Sequence, residues 1–493
     1  MPKFEIKHRK TGDVIFKGTG ASLKLVTEEA VQFGGGVSLS KIKSKLGLST
    51  TKDKKPEGAR LYGADFADAD LSGIDLTGAI LGGADLSRAN LSGSILDGAD
   101  LSNADLAKAN LAGAALYGAN LTEANLQGAN LDKAKLDNAD LTSAHLTGAN
   151  LTSQKLTKAK LAKVDFTGAQ LGGANFGGVQ LVGNVMEGAE LSFAILAKAK
   201  FSNVNLSGAV LERADMGMAS LSKSNLSQSR MSDANMVGID LADADLRGAT
   251  LSSAKLGGAK LQRVKAQAAV LDSAKMAGAN LSDGDFSGGD FSEAELTEAR
   301  LTRAVLKDAT FTNALMRGIN LSEAIAEGAQ IVNAELMEAI LTGTQLVSAN
   351  LTESRMDGAD LARADLRGAV LTRARLDKAN LTQANLAGAR LDGASLTGAN
   401  LAAVQFSRAN LAGADLHGAR LDNADLSGAS LVGTKLSGVN MHNTRLVRAD
   451  LTQADFSWAT IDGADFSGVK IAKTSFRSAQ IKNIKGIKFR KKA

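Results

Sequence analysis

From Leu61 to Ile481 a large apolar residue recurs at every fifth position, 85 groups without one insertion or deletion. Leu61, Phe66, Leu71 and Leu76 open the series, and only Ala266 and Ala326 break it. Two places before each large residue stands a small one, usually Ala. One place before, Asp and Asn are commonest. Ser, Thr, Ala and Asp dominate one place after, and Gly is commonest two places after.

A period of five matches neither the 3.6 of a helix nor the 2 of a strand, and a coiled coil would need 3.5. It requires a unit with one large and one small residue facing inward and three residues facing water. Four such units close one square turn, and successive turns stack through parallel backbone pairing about 4.8 Å apart. The expected result is an all-β solenoid of about 21 coils, a rod roughly 100 Å long, whose coils touch mainly their neighbours.

The composition agrees with a repeat. Among 493 residues there are 52 Gly but only 2 Pro, 1 Trp and 2 Tyr, too little aromatic bulk for ordinary large cores. With no Cys there is no disulfide framework, thiolate nucleophile or Cys-based metal site. No segment reads as a signal peptide or membrane span, so a cytoplasmic location is expected, with export by a non-classical route left open. The net charge of +5 conceals a division. Residues 1–60 hold 13 Lys/Arg against 6 Asp/Glu, and residues 466–493 hold 9 Lys/Arg and no acid, leaving the body between them at −11.

The A(D/N)LXX pattern, as in ADLSNADLAKANL (residues 99–111) and ANLTEANLQGANL (residues 119–131), resembles the pentapeptide-repeat family. The resemblance covers most of the chain. It implies a right-handed quadrilateral parallel β-helix and no single activity. FEIKHRKTGDVIFKG (residues 4–18) reads as a hairpin and SLKLVTEEAV (residues 22–31) as a short helix. This ββα unit resembles an N-terminal module of the family and would cap the open end of the solenoid. The expected organisation is a capping module over 1–33, an irregular basic segment and linker over 34–58, the β-helix over 59–485, and a basic tail over 486–493.

Candidate chemistry is sparse. His145, His417 and His442 fall at outward positions and His8 lies in the hairpin, which suits scattered surface histidines better than a metal site. SDGDFSGGDFSEAE (residues 282–295) lacks the spacing of a calcium loop. There Gly284 and Gly289 occupy the small inward position just before Phe286 and Phe291, as if a larger residue were matched by a smaller one. No nucleophile elbow or P-loop appears. Paired carboxylates arise from the repeat itself, so they carry no catalytic signal. The expectation is no enzyme, no cofactor and no metal.

What remains is binding. Val182, Val185, Phe193 and Ile195 are apolar at outward positions, as are Ile325, Val332, Met337 and Ile340, and Trp458 near the C-terminus. These are candidate protein contacts. Lys482, Lys485, Lys488, Arg490, Lys491 and Lys492 are candidate anion contacts, and the basic ends are candidates for nucleic acid or an anionic surface. The leading reading is a non-enzymatic scaffold for protein–protein contact, with end-to-end self-association open. A second follows from the resemblance: some family members mimic DNA and engage type II topoisomerases. A third is a component or effector of a phage or secretion assembly. The two alanines that break the rhythm are expected to be compensated inside the core, with Met276, Met316 and Phe286 the residues placed to fill the space.

Overall fold

The computed structural model describes residues 3–7, 14–19, 61–63 and 66–487. The helix expected over 22–31, the segment 34–58, His8, and Lys488, Arg490, Lys491 and Lys492 lie outside them. The chain divides into two units, Met1–Asp240 and Leu241–Ala493. In the first, β1 (Lys3–Lys7) pairs antiparallel with β2 (Val14–Thr19), with a register shift between Ile6 and Lys7.

The five-residue groups wind into coils of 20 residues, four groups to a coil. Asp70 pairs in parallel with Asn90, Asn90 with Asn110, and Asn110 with Asn130; in the second unit Asp245 pairs with Lys265 and Lys265 with Asp285. The fold is thus an all-β solenoid, as the period requires. In each group the chain turns a corner. Around Leu86, Ala89 N–H donates to the Leu86 carbonyl at 3.1 Å, and Arg88 between them is left-handed at φ 57°. This is the pattern of a type II turn, which explains why Gly is commonest there. The same group bonds to its neighbouring coils through Leu86 N–H to Asp105 O (2.7 Å), Arg88 N–H to Ala107 O (2.8 Å) and Asn90 N–H to Ala69 O (2.9 Å). Asp and Asn hold the corner from the side: Asp85 Oδ1 accepts the Ser87 N–H at 2.9 Å. Asparagines also form ladders between coils, Asn110 to Asn90 (3.2 Å), Asn130 to Asn110 (3.2 Å) and Asn150 to Asn130 (3.1 Å).

The large residues form the core, and almost all are fully buried. Each Leu is worth roughly 1.5–3 kcal/mol of burial, four per coil, which is why short corners suffice to hold the coil together. Ala266 and Ala326 are buried like the leucines they replace. The pairing of large with small residues is visible at Gly284: a Cβ there would fall 2.6 Å from the Phe286 ring and 3.1 Å from the Leu281 carbonyl. At Gly289 it would fall 2.9 Å from Phe286 O and 3.3 Å from the Phe291 ring. Phe291 stacks in turn on Phe311 one coil on, centroids 4.8 Å apart.

In a few groups the corner opens into a three-residue strand. In the first unit β3 (Gln180–Val182) pairs in parallel with β4 (Lys200–Ser202). In the second, β5 (Asn440–His442), β6 (Thr460–Asp462) and β7 (Gln480–Lys482) pair in that order.

Polar residues at the small inward position grade the ladder by their length. Thr344, Thr434 and Thr444 each donate Oγ1–H to the carbonyl of the large residue one coil earlier, at 2.8 Å. The adjacent ladder bond stays intact, with Gln345 N–H to Ala324 O at 2.9 Å. Asn184 makes the same contact from Nδ2 to Leu161 O at 2.6 Å, and the adjacent bond, Val185 N–H to Val164 O, stretches to 3.2 Å. Gln154, one methylene longer and 4% exposed, reaches Leu131 O at 2.6 Å. Beside it the bond from Lys155 N–H to Ala134 O is absent, and Lys135 and Lys155 do not pair. The longer side chain wedges two coils apart.

Candidate interaction surfaces

With four groups per coil, residues 20 apart stack on one side, and a residue's side follows from its group. This separates candidates that are close in sequence. Phe193 sits at the corner leading into the side centred on Leu196, and Ile195 lies on that side. Val182 lies beside Leu181 and Val185 beside Met186, on two other sides. Phe193, Ile195 and Val182 are exposed, while Val185 is half-buried. The second set is dispersed completely: Ile325, Val332, Met337 and Ile340 belong to four different sides of the coil. Ile340 is exposed and the other three are half-buried. Neither set forms one patch, because chain proximity carries a residue around the perimeter.

Stacking instead gathers residues that sequence distance had kept apart. In the first unit one side is centred on Leu96, Leu116, Leu136, Leu156, Phe176, Leu196, Met216 and Met236. On it or at its corners lie Ile95, Tyr117, Phe193, Ile195, Met218 and Val237. Among the described residues of that unit these are six of the eight exposed large apolar side chains. Ile195 lies over the backbone of Gly177, its Cγ2 4.0 Å from where a Cβ would stand. The Arg213 guanidinium sits over the Phe193 ring at 5.7 Å, and Lys135 over the Tyr117 ring at 5.8 Å. Phe193 (φ 61°, 60% exposed) and Met218 (φ 57°, 65% exposed) hold the left-handed corner position, which disfavours bulky side chains.

The opening made by Gln154 is on the same side. It is a cavity of about 350 Å³ lined by Asp132, Lys133, Lys135, Asp137, Ser153 and Lys155, among others. Its ion pairs are long: Lys133 to Asp132 at 3.6 Å and Lys158 to Asp137 at 3.9 Å. One carboxylate oxygen of Asp137 is buried without a hydrogen bond.

The second unit has a cavity of about 500 Å³ around Arg317, Met337, Glu338, Arg355, Asp357 and Arg375. Its arginines are paired, Arg317 with Glu338 at 3.0 Å, Arg375 with Asp357 at 3.4 Å and Arg355 with Glu335 at 3.6 Å. Trp458 is 67% exposed in the left-handed corner position (φ 63°), its N–H bonded to Arg477 O. Lys482 and Lys485 are exposed, spread over different sides of the last coil.

The calcium-like stretch spends its carboxylates elsewhere: Asp283 pairs with Arg303 at 2.7 Å, Asp285 accepts from Ser287, and Asp290 accepts from Ser292. His417 Nδ1 meets Ser437 Oγ at 2.8 Å, and His442 Nδ1 meets Asp422 Oδ1 at 2.7 Å. Burial opposes ionisation of Asp422, but hydrogen bonds from Arg420 and His442 outweigh it and hold its carboxyl below the ordinary value. Among the described residues no group of three His, Cys, Asp or Glu is placed to hold a metal ion, and no helix is long and apolar enough to cross a membrane.

The family model described as Pentapeptide repeats (8 copies) matches successive, often overlapping segments from residues 57–83 to 449–484. No curated protein matches the chain. Among solved structures the chain is similar to HetL, a pentapeptide repeat protein involved in heterocyst differentiation regulation from Nostoc sp. strain PCC 7120. The identity is 27% over 43% of this chain and 86% of that one, with a TM-score of 0.24. It is also similar to trypsin-treated QnrB1, a plasmid-mediated fluoroquinolone resistance protein, at 16% identity over 31% and 82%, TM-score 0.27. For Rfr23 from Cyanothece 51142 the figures are 30% over 24% and 64%, TM-score 0.09. Superpositions this loose carry no functional inference.

Proposed function

Because the chain belongs to the pentapeptide-repeat family, a family of repeat scaffolds, we propose that it works as a non-enzymatic scaffold whose exposed sides bind another protein. The observation that carries this reading is the concentration of exposed apolar side chains on one side of the first unit. Phe193 and Met218 bear two costs at once, a left-handed backbone and exposure to water, and a partner that covered them would recover the second. Arg213 over Phe193 adds a cation–π contact of the kind enriched at protein interfaces.

The test is chemical cross-linking of the intact chain in its native lysate, wild type beside Phe193→Ser/Met218→Ser. Both residues are exposed, so the double variant should keep its melting temperature while losing a specific cross-linked protein. A partner recovered equally by both forms, or none recovered by either, defeats the reading.

A further inference from the structure

The same side of the first unit departs from its own repeat at one place. Gln154 stands where Ala or another small residue is the rule, and it forces the coils at 135 and 155 apart. Lys135 and Lys155 are stacked in one column, so like charges face each other across the gap, an arrangement that destabilises a sheet. The N–H groups of Leu136 and Asn138, whose counterparts elsewhere in the repeat bond to the next coil, and of Lys155, whose counterparts bond to the previous one, make no backbone hydrogen bond there. Local rules broken together, with no gain in packing, mark a functional site more often than a structural one.

The charge and shape of this side indicate what would cover it. Lys133, Lys135 and Lys155 line the opening, and Lys158 stands 3.9 Å from Asp137 at its edge; the ion pairs there are the long contacts to Asp132 and Asp137. Towards one end are Ile95 and Tyr117; towards the other are Phe193, Ile195 and Met218. Four coils separate Tyr117 from the coil that carries Ile195, about 19 Å at the spacing of paired strands, a distance an extended chain crosses in about six residues.

We infer that this side docks an extended polypeptide segment of another protein, acidic in its middle and apolar towards both ends. The inference rests on the scaffold reading and adds the chemistry of the partner. Carboxylates of the segment meet Lys135, Lys155 and the unbonded N–H groups in the gap, and its apolar residues cover Tyr117 at one end and Phe193 and Met218 at the other. Nucleic acid fits less well. Most of the exposed apolar side chains on this side are aliphatic, without the aromatic platforms on which bases stack.

The probe is a fluorescein-labelled peptide of about 12 residues, with Phe and Leu near each end and three central glutamates. It is titrated into the full chain and read by anisotropy at about 50 mM and about 500 mM salt. Expected are saturable binding that weakens at high salt, a loss of fivefold or more in Lys155→Glu and in Phe193→Ser/Met218→Ser, and no change in Trp458→Ser. Circular dichroism confirms that each variant is folded. No binding by the wild type, or binding undiminished in Lys155→Glu, overturns the inference. So does tighter binding of a single-stranded oligonucleotide or of phosphatidylglycerol vesicles through the same lysines. Binding weakened only by Trp458→Ser removes this side but leaves the scaffold reading in place. Loss of the cross-linked partner in Phe193→Ser/Met218→Ser without any peptide binding removes only the acidic segment.

Discussion

Gln154 donates from Nε2 to the carbonyl oxygen of Leu131 at 2.6 Å, and that oxygen already accepts the Ala134 N–H at 3.0 Å. The side chain therefore satisfies itself on a group that does not need it, while the backbone beside it goes unpaired.

Replacing Gln154 with Ala should close the gap. The coil regains ladder bonds at Lys155 and Leu136, each worth about 0.5–1.5 kcal/mol net, and loses one redundant bond. The expected outcome is a gain of roughly 1–2 kcal/mol and amide exchange at Lys155 and Leu136 slowed by tenfold or more. Faster exchange or a lower melting temperature would contradict the wedge.

Gly284→Ala places a methyl group against the Phe286 ring and the Leu281 carbonyl. Overpacking of this kind costs about 1–3 kcal/mol. Phe286→Leu should relieve most of that cost in the double variant, although the single change Phe286→Leu is itself destabilising. A double-mutant cycle with no coupling would show that the small and large positions do not share volume.

Gly486 closes the last described coil with φ 90°, and a Cβ there would fall onto the backbone of Phe466 and Ser467. Gly486→Ala should release the final coil without melting the rest, since coils couple mainly to their neighbours. Limited proteolysis should then cut within residues 470–487, leaving a stable core. Unchanged resistance would refute a close approach at that glycine.

Asp422 titrates below the ordinary carboxylate value in the folded chain. A depressed folded pKa means that the stabilisation is present above the unfolded pKa and is lost as pH falls through the folded one. Unfolding monitored from pH 5 down to about pH 2 should show wild type losing more stability than Asp422→Asn. Parallel curves would mean that the contacts with Arg420 and His442 contribute nothing.

The period alone determined the coil, its parallel pairing and the inward positions, because each group repeats the same steric problem. The volume match at Gly284 and Phe286 was legible for the same reason. The side on which exposed apolar residues gather was legible only in part: Phe193 and Ile195 stand out in the sequence, but nearness in the chain groups them with Val182 and Val185, which lie on other sides. Ile325, Val332, Met337 and Ile340 look adjacent and face four ways, while Tyr117 and Val237 stand 120 residues apart on one side. Reading outward positions in steps of 20 would have aligned them. Gln154 was also visible as an oversized residue at a small position. That it would open the ladder while Thr344 and Asn184 do not depends on a single methylene of side-chain reach.

The 20-residue register also constrains how such a chain can change length. Within a unit, adding or removing 20 residues lengthens or shortens the stack and leaves every other side chain facing as before. Adding five residues keeps the pentad rhythm intact, yet turns everything that follows a quarter of the way round the axis. An insertion of one pentad between Tyr117 and Phe193 would thus preserve the fold and split the apolar side across a corner. A change of whole coils outside the stretch from Tyr117 to Phe193 leaves that side as a partner meets it, whereas a coil added within the stretch keeps the facing and lengthens the span by about 4.8 Å.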